Sequence, residues 1–554
     1  MRLRTILLPA FAALLCLSRG PASAGEIKIM YPAEGDQLPT LQKTFLFGNV
    51  KPSTAPFYIN GSRIDVYRNG AFIAYLPVKE GNFAFKCELL DGATVSYTRN
   101  IRIRPTPVRS TSTLRMELVH PSDDLALAPG DSLNVLADGT PGKNAVFSVK
   151  GLAHEVQMAE MPAGSGRYYG VYRIKDEDEA RNAELSVKFK TGLFASTARS
   201  TAKVRVSVQR RPVVVETSTD TVILRNGVDS GYLMFLPKGV RLLSDGREGR
   251  TRRVKLSRSE TAWVDDSKVA VSTTAGFLPL NETGTIRIFR TPSGVTASVY
   301  TYYPAPYIAE ARENSLRLTL YYVNEHTNWV VYDSSDTFIR QARVTQIGEN
   351  TVAVDFEFQP GSELWGYDVY PGTRSMNVDF RKRPSVSGVW PRPLAGLRAV
   401  VDAGHSPRTS PPYDGAIGPM GSFEFQVNIE TAYKLRDELT ALGATVYMTR
   451  NGEETVGLTD RPKLAKAFNG DIFISLHNDA IPDGEDPFAN PKGFTIFYYH
   501  RHSMELARAV HRSYVRNIPL PDRGLRYGDY AVVRQTYMPA ILVESAYMIM
   551  PEQE

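Results

Sequence analysis

The sequence predicts a multidomain chain in which several all-β domains precede one α/β domain. The first observation behind this is length, since 554 residues at roughly 150 per domain suggest three or four domains. The second is a long succession of short apolar runs punctuated by Gly, Asn and Pro, which continues to about residue 380. The third is a change of pattern at Arg383-Pro384 and Pro391 to Pro393, after which strand-like runs alternate with helical periodicity. Hydrophobic residues make up 42% and charged residues 22%, which excludes a disordered chain and a polytopic membrane protein. A net charge of +6, from 65 basic and 59 acidic residues, is no nucleic-acid footprint. Two cysteines cannot build a disulfide framework or a cysteine zinc site, so a metal would need His and carboxylate ligands.

Residues 1–24 read as a secretory signal peptide. Arg2 and Arg4 precede an apolar run from Ile6 to Leu17, and Ala22-Ser23-Ala24 offers a cleavage site. The run is too short to cross about 30 Å of hydrocarbon. Its removal takes Arg2, Arg4 and Arg19 and no acid, leaving +3. No later run of about twenty apolar residues exists, so no transmembrane segment is expected in the mature chain.

Residues 25–107 read as an immunoglobulin-like β-sandwich, with Asn60-Gly61 and Asn69-Gly70 as hairpin turns. Cys87, in an apolar run, reads as a buried inert thiol. Residues 108–209 form a second β-rich domain. Residues 210–272, with TVILRNG, GYLMFLPKGVRLL, RRVKLS and TAWVDDSKV, resemble a bacterial SH3-like barrel closed near Trp263. Residues 273–385, with SLRLTLYYV, NWVVYD, VAVDFEF and LWGYDVYPG, resemble an AMIN-type wall-targeting domain. His120, His154 and His326 lie in these blocks without partners at ligand spacing.

Residues 390–554 carry the alternating pattern. Strands are expected at Leu397 to Val401, Ala444 to Met448, Ile472 to Leu476, Phe494 to Tyr499 and Ala540 to Val543. Helices are expected at Phe425 to Leu442, stopped by Gly443, at Pro462 to Phe468 and at Ser503 to Arg516. This implies a mostly parallel sheet buried on both faces. Ligands of such sheets gather beyond the carboxyl ends of the strands. His405, His477 and Glu544 follow three of those ends, and Glu424 opens the first helix, within reach of the same edge. Two imidazoles and one carboxylate suit a catalytic zinc with a fourth position for water, and a second carboxylate suits proton transfer.

VVDAGHS, DGAIGPMGSFEFQVN, ATVYMTR, LTDRPKLAK, DIFISLHNDA, GFTIFYY, DRGLRYGDYAVVR and MPAILVESAY together resemble, in order and spacing, the zinc-dependent N-acetylmuramoyl-L-alanine amidases of the amidase_3 family, over about Leu397 to Met550. The resemblance implies His405, Glu424 and His477 as ligands of one Zn2+ and Glu544 as the catalytic carboxylate. It implies hydrolysis of the amide between N-acetylmuramic acid and the L-alanine of the peptidoglycan stem peptide, in the periplasm or cell envelope, with an envelope protein activator as a further partner and no nucleic acid. Asp414 and Asn478 fall on recurrent motif positions and read either as orienting groups or as turn formers. Arg461 and Arg534 read either as structural ion-pair residues or as contacts to an anionic stem peptide. A catalytically impaired wall-binding scaffold and a zinc peptidase acting within the stem peptide are the competing functions. His500, His502 and His511 read as non-ligands on a strand end and a surface helix.

Three departures stand out. Ser406-Pro407 replaces a glycine pair after the first His, a short loop without a helical insertion leaves the site uncovered, and the ten residues after Glu544 stand where the family continues into a helix packed on the sheet. The last feature raises the question of what covers that face.

Overall fold

The computed structural model describes residues 25–104, 114–190, 197–207, 212–272, 278, 280–333, 337–410 and 413–554. The signal-like residues 1–24 and the linker at 105–113 lie outside the described residues. The first unit is two facing sheets. Glu26–Tyr31, Lys43–Lys51 and Ala71–Pro77 form one, and Gln37–Leu38, Phe57–Ile59, Ser62–Ile64, Gly81–Asp91 and Ala93–Ile103 form the other. Leu46, Phe57, Phe72, Phe85 and Leu89 fill the space between them. Cys87 is in this core, where burial pushes its thiol up to about 12, so no reactive thiolate forms. Asn60-Gly61 is a two-residue hairpin with both residues left-handed. Asn69-Gly70 is not: it closes a turn from Tyr67 that leads into the strand Ala71–Pro77.

The second and third β units are not separate sheets. The short strand Leu125–Leu127 pairs with Thr197–Val206 on one side and with Arg241–Glu248 on the other. One sheet therefore runs across the expected boundary near residue 209. The fourth unit again has two sheets, closing over Phe338, Phe356, Phe358 and Phe380.

The C-terminal domain contains β1 (Arg398–Ala403), α1 (Glu424–Ala441), β2 (Thr445–Met448), α2 (Asp460–Ala467), β3 (Ile472–Asp479), β4 (Phe494–Tyr498), α3 (Met504–Asn517), β5 (Asp522–Tyr527) and β6 (Ala540–Tyr547). Its strand order is β2-β1-β3-β6-β4-β5. The first four strands are parallel, and β4 runs antiparallel to β6, with β5 parallel to β4. Alternation sorts the side chains. Ala399, Val401 and Ala403 pack with Ile474, Val543 and Ala432 of α1, whereas Val400 packs with Phe473, Leu542 and Ala465 of α2. Burial on both faces is what near-continuous apolar parallel strands require. α1 ends at Gly443, whose φ of +100° supplies the left-handed residue that closes a helix.

The β units grip this domain at opposite ends. From the fourth unit, Arg381 meets Asp471 at 3.1 Å and donates to the carbonyls of Gly470 and Tyr537, while the Trp365 indole donates to the Asp471 carbonyl. Asp471 immediately precedes β3, so this contact lies at the amino ends of the parallel strands. From the first unit, Phe45, Phe47 and Ile73 pack on Tyr547, Ile549 and Met550, which end and follow β6. The first sandwich thus packs against the end of β6 and the residues that follow it. That sandwich also holds two loops, through Asn49 Nδ2 on the Pro419 carbonyl (2.8 Å), Tyr75 on the Gly484 carbonyl (2.8 Å) and Tyr31 on Asp483.

Candidate metal and catalytic site

The site lies at the carboxyl ends of β1, β3 and β6, between the loops that the first unit holds. His477 and Glu544 are not beyond their strands, as the sequence suggested, but inside them. Both strands run past the last apolar residue, and the two residues are direct register partners, so their side chains share a face. Glu424 is the first residue of α1 and is buried. His405 sits two residues past β1 with φ +63°, a conformation uncommon outside glycine.

These positions bring His405, Glu424 and His477 together, with candidate ligand atoms all within 4.8 Å of one another. Glu424 Oε2 is 3.1 Å from His405 Nε2, and Oε1 is 3.2 Å from His477 Nδ1. The backbone N–H groups of Ala416 and Asn478 donate to Glu424 at 2.8 and 3.0 Å, and Asn428 Nδ2 donates at 3.2 Å. Burial opposes the charge on Glu424, yet His405 and His477 outweigh it and hold the carboxyl well below its ordinary range. Burial likewise opposes a charged His405, and the carboxylates of Glu424 and Asp414 outweigh it, raising that imidazole. Two ring nitrogens and a carboxylate, gathered as ionised acceptor and polarised bases, fit a divalent ion of borderline softness.

Glycine is required twice. A Cβ on Gly404 would lie 2.3 Å from the His477 ring, and one on Gly415, at φ +97°, would lie 2.7 Å from Glu424 Oε2. The motifs VVDAGHS and DGAIG therefore leave the space that the ligand side chains occupy.

Glu544 stands apart from this hydrogen-bonded set. It is half-buried, and its buried Oε2 has no hydrogen-bond partner among the described residues. Burial first, then the neighbouring charges of Glu424 and Asp479, push its carboxyl up to about 9. A carboxyl in that condition exchanges a proton near neutrality once a cation or substrate alters its surroundings.

Asp414 accepts from His405 Nδ1 (2.8 Å) and from the Ser406 N–H (2.9 Å), so it fixes the ring's tautomer and the loop. Ser406, in the place of a glycine, is buried and its hydroxyl accepts from the Val456 N–H at 3.2 Å. Asn478 donates from its side chain to Asn428 Oδ1 (3.0 Å), whose own amide donates to the Gly404 carbonyl. Arg461 is buried. It meets Asp402 at 2.7 Å and donates to the carbonyls of Ala403 and His405. The structure does not bring Arg534 to the ligand cluster. Its guanidinium is spent on Asp529 and on the Tyr232 carbonyl of the third unit.

The sequence reading missed several residues. Asp402, fully buried, accepts from Arg461, Thr449 and Ser475, and Arg450, also buried, donates to the carbonyls of Ala403 and Phe425. An Asp inside the apolar run VVDAGH and an Arg straight after TVYMT were the available signals. His500 and His502 are likewise not surface groups. They stack 5.1 Å apart, half-buried against Tyr367 of the fourth unit, and loss of solvent lowers both imidazoles.

The comparisons with known proteins concern this domain. The Amidase_3 family model, described as N-acetylmuramoyl-L-alanine amidase, matches residues 399–554. A probable cell wall amidase LytH of Staphylococcus epidermidis is 33% identical over 171 residues, which are 31% of this chain and 55% of the relative. The chain thus spans about half the length of the curated relatives it matches. Among solved structures, the N-acetylmuramoyl-L-alanine amidase AmiC2 of Nostoc punctiforme is 29% identical over 28% of this chain and 82% of that one, with a TM-score of 0.26. The catalytic domain of CwlV from Bacillus (Paenibacillus) polymyxa var. colistinus is 28% identical over 28% and 84%, also with a TM-score of 0.26. The C-terminal domain of this chain, residues 399–554, is thus the part that matches the Amidase_3 family and its cell-wall relatives.

Proposed function

We propose that the chain is an exported, zinc-dependent peptidoglycan hydrolase that cuts the amide between N-acetylmuramic acid and the L-alanine of the stem peptide. In this reading residues 1–24 direct export and are removed, and the enzyme works in the periplasm or cell envelope. No helix among the described residues is long and apolar enough to cross a membrane. The immunoglobulin-like, SH3-like and AMIN-like units at 25–107, 210–272 and 273–385, with the β-rich unit at 108–209, place the amidase domain on the wall.

The observation that carries the reading is the division of labour between two carboxyls, Glu424 buried and Glu544 half-buried. Glu424 is ionised and bonded on both oxygens, which suits a ligand; Glu544 is raised and unbonded on Oε2, which suits a proton carrier. His405, Glu424 and His477 would hold zinc, which when bound polarises a carbonyl and acidifies water. Asp414 holds His405 in the tautomer that leaves Nε2 free to ligate. Glu544 takes a proton from the attacking water and delivers it to the leaving nitrogen of L-alanine. Arg461 and Arg450 tie down the backbone that carries His405.

Incubation of purified peptidoglycan with the full chain tests this. New L-alanine amino termini are expected from the wild type, and Glu544→Gln should lower their rate by about 10²- to 10⁴-fold while keeping its zinc. His405→Ala should lose the metal as well. Cleavage at another peptide bond would make the enzyme a zinc peptidase, and a zinc-loaded wild type that binds wall without product would make it a scaffold.

A further inference from the structure

The joint between the second and third β units holds a cavity of about 490 Å³. Leu125–Leu127 is hydrogen-bonded into both units, so the two walls belong to one sheet and keep a fixed separation. Lys203 and Arg205 come from one wall, Arg247 and Arg250 from the other, and Asp123 and Asp124 lie between them. The acids are partly spent on the fold. Asp124 accepts from the Lys203 N–H at 2.7 Å, and Asp123 accepts from the Ser122 hydroxyl at 3.0 Å. Two of the cations are also engaged, Lys203 with Glu184 at 3.2 Å and Arg247 with Asp266 at 3.1 Å. Arg205 and Arg250 have no carboxylate within ion-pair distance among the described residues, and both are exposed at the cavity.

We propose that this cavity binds anionic groups of the cell wall, with Arg205 and Arg250 as the two cations that receive them. The inference rests on the wall-directed reading above and extends it to a second contact far in sequence from the amidase domain. A guanidinium presents parallel donors that match a carboxylate or a phosphate. Stem-peptide carboxylates and phosphate-bearing wall polymers share that chemistry. The open, two-walled shape admits a segment of a long polymer. A mature net charge of only +3 makes general attraction to an acidic wall weak, which favours a local site of this kind.

The test is sedimentation of the full chain with purified sacculi at low and high salt, with Glu544→Gln in every protein so that the wall stays intact. The double change Arg205→Glu and Arg250→Glu should weaken binding about tenfold at low salt and flatten its salt dependence. Arg205→Lys with Arg250→Lys keeps the charge without the paired donors and should bind between the two, and an unchanged thermal midpoint of the reversal shows that it acts through charge and not through misfolding. Arg63→Glu with Arg68→Glu, exposed positions in the first unit that change the net charge equally, should bind like the parent. Equal binding by the Arg205/Arg250 reversal and its parent, or equal loss in the Arg63/Arg68 control, overturns the site. Sacculi stripped of phosphate polymers by acid name the anion: retained difference means carboxylate, vanished difference means phosphate. Since sedimentation reads no hydrolysis, a failed amidase assay and a failed binding site are separate results.

Discussion

The first and fourth β units both dock on the amidase domain, but they use opposite ends of its sheet and opposite kinds of force. At the amino ends of the parallel strands the fourth unit inserts Arg381 into a buried cluster with Asp471 and Arg398. At the carboxyl ends, beside the candidate ligand cluster, the first unit lays Phe45, Phe47 and Ile73 on Tyr547, Ile549 and Met550, with a buried hydrogen bond from Asn49 to the Pro419 carbonyl and a half-buried one from Tyr75 to Gly484. Buried ion pairs demand one geometry and punish its loss, whereas apolar contact is non-directional and tolerates small adjustments. The amino ends of the parallel strands are thus held by a buried ion-pair cluster, and the carboxyl ends, beside the candidate metal site, mainly by apolar contact.

Breaking the charged end should have the larger effect. Asp471→Ala leaves Arg381 and Arg398 without their carboxylate and should destabilise the C-terminal domain by about 3–5 kcal/mol, read as lost hydrogen-exchange protection in β1 and β3. Phe47→Ala opens the apolar end, with an expected loss of about 3 kcal/mol. It should appear as faster exchange of residues 547–554 and a lower rate on peptidoglycan, while β1 and β3 stay protected. If the two substitutions exchanged their protection patterns, the contrast between the two ends would be wrong.

A third change sharpens the site end by pH. In metal-free protein the Glu544 carboxyl keeps its proton up to about 9 when folded, but releases it near 4.5 when unfolded. Stability contributed by this group is therefore fully present below about pH 4.5 and declines as pH rises towards 9. Glu544→Gln should match wild type at pH 4 and exceed it by about 3 kcal/mol at pH 7, measured as a widening gap in thermal midpoint. The smallest effect belongs to the rim: Tyr75→Phe removes one hydrogen bond to Gly484 and should cost about 1 kcal/mol, with modestly greater protease access to the 480–492 loop.

Much of the amidase domain was legible because its strands are apolar runs and its helices have a clear period. α1 and α3 fall within one residue or so of expectation; His405, His477 and Glu544 were found by asking what stands at strand ends, and Glu424 by its place at the start of the first helix. What escaped follows from physics that period does not encode. β5 is DRGLRY, half charged, and becomes a strand only because β4 offers an edge. Neither Asp402 nor Arg450 is marked by period or by ligand spacing, and only the folded site shows them buried and bonded. The docking of the first unit left one trace, the run Thr44 to Phe47, in which every residue is apolar or small. Such a strand has no wet face, and its second buried face belongs to a domain almost five hundred residues away.

That distance has a consequence for assembly. Tyr31, Asn49 and Tyr75 meet partners roughly 370 to 450 positions later in the chain, so the sandwich that holds them can complete its outer surface only after β6 and the residues behind it have been made. Until then the Phe45, Phe47 and Ile73 patch is bare, an adhesive surface in transit that must be kept from other partners. Long-range closure of this kind is slow, and the loops that border the ligand cluster become fully braced only in that closing step.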